Sequence, residues 1–307
     1  MKISSLAGRL PLSAAGQPSR GLRIVADFIE LTKPRVVAMV LVTTAVGFRM
    51  ASPGRMDALL LLATLAGTAL AAMGTIALNQ YQERAGDALM HRTRARPLPE
   101  GRLRPSESLA FGIGMTTGGL AWTLLAVGSV PALVTALTAA SYLFLYTPLK
   151  RRSTLCTFAG AISGGLPPVA GWVAARGVFG LGAWILFAML FLWQVPHSLA
   201  IGRLYREDYA RAGTCLLPVV EPDGSSTGRH VVTHCAALLA VSLLPTLVGL
   251  SGVAYFLGAI VLGAGFLGSA VALARSASSA AARRLLLASL VYLPAILGLM
   301  VADKLPF

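Results

Sequence analysis

Nine runs of mostly apolar residues divide this chain and leave it few ways to fold: about 36–51, 58–80, 108–127, 130–147, 157–175, 181–202, 231–250, 252–274 and 285–302. Crossing the hydrocarbon core of a bilayer takes about 20 such residues in a helix. Inside lipid every peptide N–H and C=O must be bonded within the protein, so runs of this length form helices. The fold expected is all-α and polytopic, with about nine transmembrane helices. Charge agrees, since charged residues make up 12% of the chain, against roughly 25% in soluble domains.

The placement of the basic residues gives orientation. With the N-terminus inside, the inner segments hold 22 of the 26 Lys and Arg; Arg49, Arg55, Arg176 and Lys304 fall outside. Cytoplasmic loops carry such an excess, so the N-terminus is expected in the cytoplasm and the C-terminus outside. The net charge of +14 is therefore an orientation signal and a supply of anion ligands. It is not a nucleic-acid footprint, because few aromatic residues lie among the basic ones to stack on bases. Residues 1–30 are expected to be a flexible basic arm, and 31–307 the membrane domain. Three separated cysteines, 156, 215 and 235, imply neither a disulfide nor a zinc site.

The stretch from Asn79 to Leu98 carries most of the chemistry. It leaves the second apolar run with oxygen-bearing side chains at intervals of four, Asn79, Glu83 and Asp87, then places arginines at 92, 94 and 96. At about 100° per residue the three oxygen donors share one helix face. Oxygen ligands suit a hard cation such as Mg²⁺, and arginines suit phosphate. Glu83 and Asp87 repel each other at this spacing, and a bound cation removes that repulsion. A solvated helix end, or an ion pair of Asp87 with Arg92, would also account for polar residues here.

Further polar segments end other spans on the same side. In the stretch from Trp193 to Gly213, helical spacing places Gln194, His197, Tyr205 and Asp208 within about 80° of one another. A polar stripe on a membrane helix belongs against a cavity rather than lipid. Asp208 is expected to offer a carboxylate opposite Asp87, while His197 reads equally as an interhelical hydrogen-bonding residue. Lys150-Arg151-Arg152 closes the fourth span and suits a diphosphate clamp, although such a cluster also serves orientation. Leu31-Thr32-Lys33-Pro34-Arg35 is as consistent with interfacial anchoring as with catalysis. Gly164 to Trp172, rich in Gly and Pro, reads as a kink in the fifth span that shapes a cavity. A polar cluster confined to one face favours an enzyme over a transporter, whose polar residues gather near the midplane. No nucleotide-binding loop or hydrolytic nucleophile motif is present.

These motifs resemble the UbiA superfamily of intramembrane prenyltransferases, and within it the branch whose acceptor is heme. The resemblance runs from about Leu31 to Met300. Its motifs are LTKPR (31–35), N-x3-E-x3-D-x2-M-x-RT (79–93), RPLPEG (96–101), YTPLKRRST (146–154), LPPVAGW (166–172), WQVPHS (193–198) and YREDYARAG (205–213). It implies nine helices around a central cavity, and transfer of farnesyl from farnesyl diphosphate to a vinyl group of heme b, with water completing heme O, in an inner membrane with the site on the cytoplasmic side. It implies Mg²⁺ on Asn79, Glu83 and Asp87, with Asp208 opposite. Arg92, Lys150 and Arg151 would hold the diphosphate, and His197 and Tyr205 would face the porphyrin or the allylic cation. The lipid bilayer, the two substrates, and a downstream heme O oxygenase or terminal oxidase are the implied partners. Two departures stand out. Leu204 and Ala212 flank Asp208 where many members carry a second aspartate, and Cys156 stands where asparagine is common. Acceptors other than heme, such as aromatic acids and quinone or chlorophyll precursors, share the acidic motifs.

Overall fold

The structure, a computed structural model, describes residues 20–306; positions 1–19 of the expected arm lie outside them. Among the described residues nine helices are long and apolar enough to cross a membrane. The elements are α1 (Arg20–Thr32), α2 (Pro34–Ala51), α3 (Ala58–Asp87), α4 (Pro105–Ala126), α5 (Ser129–Leu149), α6 (Cys156–Arg176), α7 (Leu181–Leu204), α8 (Arg206–Arg211), α9 (Ser225–Leu247), α10 (Val253–Ser276) and α11 (Ser279–Ala302). The spans expected from hydropathy are all present, α2 to α7 and α9 to α11.

Three differences from expectation have physical causes. The arm was expected to be flexible through residue 30, yet Arg20–Thr32 is helical. It is amphipathic: Leu22, Val25 and Ile29 are exposed, while Arg102 pairs with Asp27 and Glu30 and Phe28 packs on Phe111. A helix with this division suits the membrane interface. The second span outlasts its apolar run, because α3 continues unbroken to Asp87 and carries the polar stripe beyond the lipid-facing residues. The Gly/Pro segment of the fifth span does not interrupt it either, and Pro167 and Pro168 lie inside α6.

That segment instead sets the closest helix crossing. A Cβ at Gly171 would fall 1.9 Å from the carbonyl oxygen of Thr44, and one at Gly47 would fall 1.9 Å from that of Pro168. Small residues at such crossings let backbones touch, and dispersion is what holds helices together where lipid supplies no hydrophobic drive. α7 lies between α6, α9 and α11, and its Ile185, Leu186 and Met189 enter the main core with Trp172, Tyr255 and Ile296. At the end remote from Asp87, Arg176 Nε and Lys304 Nζ donate to the carbonyls of Ala51 and Ser52. These cations thus satisfy carbonyls that the end of α2 leaves without helical partners.

The crossing makes a stability prediction. Gly47→Ala forces α2 off α6 and should cost upwards of about 3 kcal/mol, whereas nothing lies within 4 Å of a Cβ at Gly118. In detergent, Gly47→Ala is expected to lose most of its monodisperse fraction and melt well below Gly118→Ala, by size-exclusion chromatography and thermal unfolding.

Candidate active site

The polar end of α3 meets the C-terminal end of α5 and the loop after α3. Glu83 Oε1 accepts from Lys150 Nζ at 2.9 Å, and Asp87 Oδ2 accepts from Arg96 at 2.6 Å. Asp87 is buried, and its backbone carbonyl also receives the Thr93 hydroxyl at 2.8 Å, which folds the arginine loop back over the helix end. Asn79, likewise buried, donates to Thr147 at 2.9 Å and accepts from the Tyr142 hydroxyl at 3.5 Å. The three oxygen donors therefore share a face, as their spacing requires. Among the described residues no hydrogen bond is made by the second oxygen of Glu83 or Asp87. Three hard donors with spare lone pairs fit a cation such as Mg²⁺.

Basic side chains surround the stripe. Arg151 places its guanidinium beside Gly86, 3.1 Å from where a Cβ would stand. Arg92 donates to the Tyr209 hydroxyl at 3.1 Å and lies over the Tyr205 ring at 4.9 Å. Lys33, at the break between α1 and α2 with φ 49°, also joins the cluster. Burial pulls its pKa down to about 8, and the charge of Arg96 adds to the drop against the opposing pull of Glu83 and Asp87. Its motif suggested anchoring as readily as catalysis, and only the left-handed backbone at the helix break turns it inward. Arg96 was visible among the loop arginines but had no assigned partner.

Asp208, expected opposite Asp87, is held by partners of its own. Its Oδ1 takes the peptide N–H of His91 at 3.1 Å and a guanidinium hydrogen of Arg211. Burial would raise its pKa, but these donors, with the N–H of Arg92, hold it below the ordinary aspartate value. Among the described residues no three His, Cys, Asp or Glu side chains gather as a metal site. The helical stripe from Gln194 to Asp208 also divides. α7 ends at Leu204, and Tyr205 breaks the helix at φ −110°, ψ 30°, so only Gln194 and His197 stay on the cavity side.

That cavity measures about 580 Å³ and lies between α2, α3, α5, α6, α7 and α11. Val36 and Met39 of α2 and Leu290 of α11 line it and are themselves exposed, so it opens sideways between those helices. Its lining is mostly apolar, with several threonine and serine hydroxyls and with Arg35, Tyr142, Tyr146, Gln194 and His197 as the larger polar side chains. Tyr142 and Tyr146 stack at 5.2 Å, and the ammonium of Lys150 lies 5.6 Å from the Tyr146 ring. The two tyrosines thus form the sill between ionic cluster and apolar cavity. Neither was picked out as a site residue from sequence, although the intervals of four among 142, 146 and 150 carry the signal.

His197 is oriented by Ser289. The serine hydroxyl donates to the Leu286 carbonyl at 2.6 Å and lies 2.8 Å from His197 Nδ1. With its single hydrogen on that carbonyl, the serine is an acceptor toward the ring, an arrangement that assigns the proton to Nδ1 and the lone pair to Nε2. Trp193 stacks on the imidazole at 4.6 Å and donates to the Ser289 carbonyl at 2.9 Å, which fixes the ring plane.

Lys33 makes a pH prediction. An anion bound in the cluster favours the ammonium and raises the lysine pKa above 8. Below pH 8 the group is already charged and takes up no proton. Above it, binding draws a proton in and weakens as pH rises. Calorimetric titration of chelator-treated protein with inorganic diphosphate, in buffers of different ionisation heat, should show this uptake only on the alkaline side. Lys33→Met should lack it.

The UbiA prenyltransferase family matches residues 40–293. The chain is 48% identical over 287 residues to the protoheme IX farnesyltransferase of Solibacter usitatus, covering 91% of this chain and 98% of that one. It is 39% identical over 284 residues to the protein of the same name from Aquifex aeolicus, covering 92% and 97%. A solved digeranylgeranylglyceryl phosphate synthase superposes with a TM-score of 0.77 at 16% identity, covering 91% of this chain and 98% of that one. A UbiA homologue from Archaeoglobus fulgidus bound to GPP and Mg²⁺ superposes at 0.64 with 14% identity, covering 89% and 99%. At these identities the structures speak for the fold.

Proposed function

The chain belongs to the UbiA prenyltransferase family, and we propose that it moves a farnesyl group from farnesyl diphosphate to a vinyl group of protoheme IX, with water adding to give heme O. The observation that carries this reading is its 48% identity, over nearly the whole of both chains, to a protoheme IX farnesyltransferase. The geometry supplies a rationale for the chemistry. An ionic cluster suited to a diphosphate abuts an apolar cavity suited to an isoprenoid chain, with Tyr142 and Tyr146 at the join.

Asn79, Glu83 and Asp87 would hold Mg²⁺, which screens the diphosphate and draws electrons toward its leaving oxygen. Lys150 and Arg96, paired with Glu83 and Asp87, would be the cations nearest to hand for the phosphate oxygens. Arg92 and Arg151 extend the positive field. Charge on the leaving group grows as the C–O bond breaks, so fixed cations favour the transition state over the ground state. The faces of Tyr142 and Tyr146 would stabilise the allylic carbocation, and the apolar walls keep water from it. Attack by the vinyl group forms the new C–C bond and leaves a cation on the carbon next to the ring. Water adds there and loses a proton, which His197 Nε2 is oriented to accept. Asp208 serves by fixing the His91–Arg92 turn, and Tyr205 by backing Arg92.

The concentration of Lys and Arg on the motif side supports a cytoplasmic location for this cluster, at a bacterial inner membrane. Heme O formed there would pass to an oxygenase or a terminal oxidase.

Asp87→Asn removes a ligand charge and keeps the side-chain shape. It is expected to lower heme O formation at least about 100-fold, the scale of losing one preorganised charge contact, with the melting temperature shifted by only a few degrees. Purified protein, heme b and labelled farnesyl diphosphate, followed by mass, provide the test; near-normal turnover in the folded variant would remove Asp87 from the site. Chelation of Mg²⁺ should stop the wild-type reaction. Product on 4-hydroxybenzoate and none on heme would overturn the acceptor assignment.

A further inference from the structure

A second pocket of about 480 Å³ lies where α7 breaks into α8. Arg203, Arg206 and Arg211 line it together with the carboxylates Glu207 and Asp208, and Ser279 joins them from the start of α11. The mechanism above draws on its edge alone, through Asp208 and Tyr205, and its lining is as polar as the central cavity is apolar. Resting on that mechanism, we propose that this pocket receives the carboxylate edge of the acceptor, with Arg206 as the group that recognises it.

Protoheme is amphipathic in its plane. Two vinyl groups lie on one side and two propionates on the other. The reacting vinyl must enter the apolar cavity beside the tyrosine pair. Propionates buried there would lack partners, at a cost of several kcal/mol each. Among residues lining that cavity, Arg35 at its mouth is the only charged one. The polar pocket is placed to take the other edge. Leu204, which lines it, follows His197 by seven residues on the same face of α7, about 10 Å along the axis. That is close to the reach of a porphyrin from its reacting edge to its carboxylates.

The charges of the pocket suit a carboxylate. Arg211 is matched by Asp208, and Glu207 is exposed at the rim. Arg203 spends its hydrogens on the neutral carbonyls of Ala277 and Pro222, and its charge is shared with the exposed Asp223 carboxylate nearby. Arg206 is half-buried, and among the described residues no hydrogen bond or ion pair engages it. The first turn of α11 adds the positive end of a 24-residue helix, which favours an anion.

The test compares heme b with its dimethyl ester on wild type, Arg206→Gln, Arg206→Lys and Arg35→Gln. Arg206→Gln should raise the KM for heme about tenfold, as expected for one charge-assisted hydrogen bond, with kcat and the KM for farnesyl diphosphate unchanged. Arg206→Lys should recover part of that loss. The ester should bind wild type about as weakly as heme binds Arg206→Gln, and the substitution should not weaken the ester further. Soret titration of chelator-treated protein should show the same shift in Kd without turnover. An ester that matches heme on wild type overturns the proposal. So does a loss carried by Arg35→Gln and not Arg206→Gln, or a rise in the KM for farnesyl diphosphate alone, which would give the pocket to a phosphate. Absence of any heme product in wild type would instead refute the parent reaction.

Discussion

Charge held at the edge of a membrane has to be neutralised from within, and this requirement organises the molecule. Two carboxylates on α3, Glu83 and Asp87, sit where the helix leaves its lipid-facing stretch, and each is closed by a cation from a different segment, Lys150 and Arg96. Burying either partner alone would cost several kcal/mol. The pairs therefore fix the end of α5 and the loop after α3 against one helix face. On the function proposed above, a metal diphosphate would enter by exchange, since its own metal and phosphates match the carboxylates and cations already present. The four side chains that neutralise one another would then also be those that bind the substrate.

The apolar side of the site depends on a different force. α2 and α6 cross so closely that Gly47 and Gly171 have backbone where a side chain would be. That contact holds the helices together on one side of Trp172. Nearer the ionic cluster the same two helices separate, and Met39, Thr43, Gly164 and Pro167 line the cavity. A tight crossing that opens toward one face gives a chamber closed at one end, with its entrance beside the charged groups.

How much of this the sequence could reveal follows from which interactions are local. Nine spans were legible because lipid demands continuous apolar helices, a constraint that each segment meets by itself. The stripe of Asn79, Glu83 and Asp87 was legible because α3 runs unbroken through it. The same reasoning failed from Gln194 to Asp208, where a constant 100° per residue assumes a helix that in fact stops at Leu204. His197 and Tyr205 consequently line different pockets. Lys33 and Arg96 were visible as residues but not as members of the cluster, because their placement depends on a left-handed backbone and a folded loop that the α3 end organises. Asp208 shows the same limit: its carboxylate is taken by the backbone of the His91–Arg92 turn, a partner more than a hundred residues away.

The tyrosine sill shows how a local irregularity can serve the site. Residues Ser141–Tyr146 form a π-helical turn within α5, a distortion that recurs at functional positions and otherwise weakens a helix. Here the wider turn is braced by side chains. The Tyr142 carbonyl accepts both the peptide N–H and the hydroxyl of Thr147, and that hydroxyl oxygen accepts from Asn79. Asn79 in turn takes the Tyr142 hydroxyl. The ring of contacts closes on itself, so the Asn79 amide and the Tyr142 ring are set by one network. Substituting Thr147 would release the π turn and the asparagine together. The spacing between the oxygen stripe of α3 and the tyrosine sill is therefore built into three residues, two from one helix and one from another, rather than into the overall packing of the bundle.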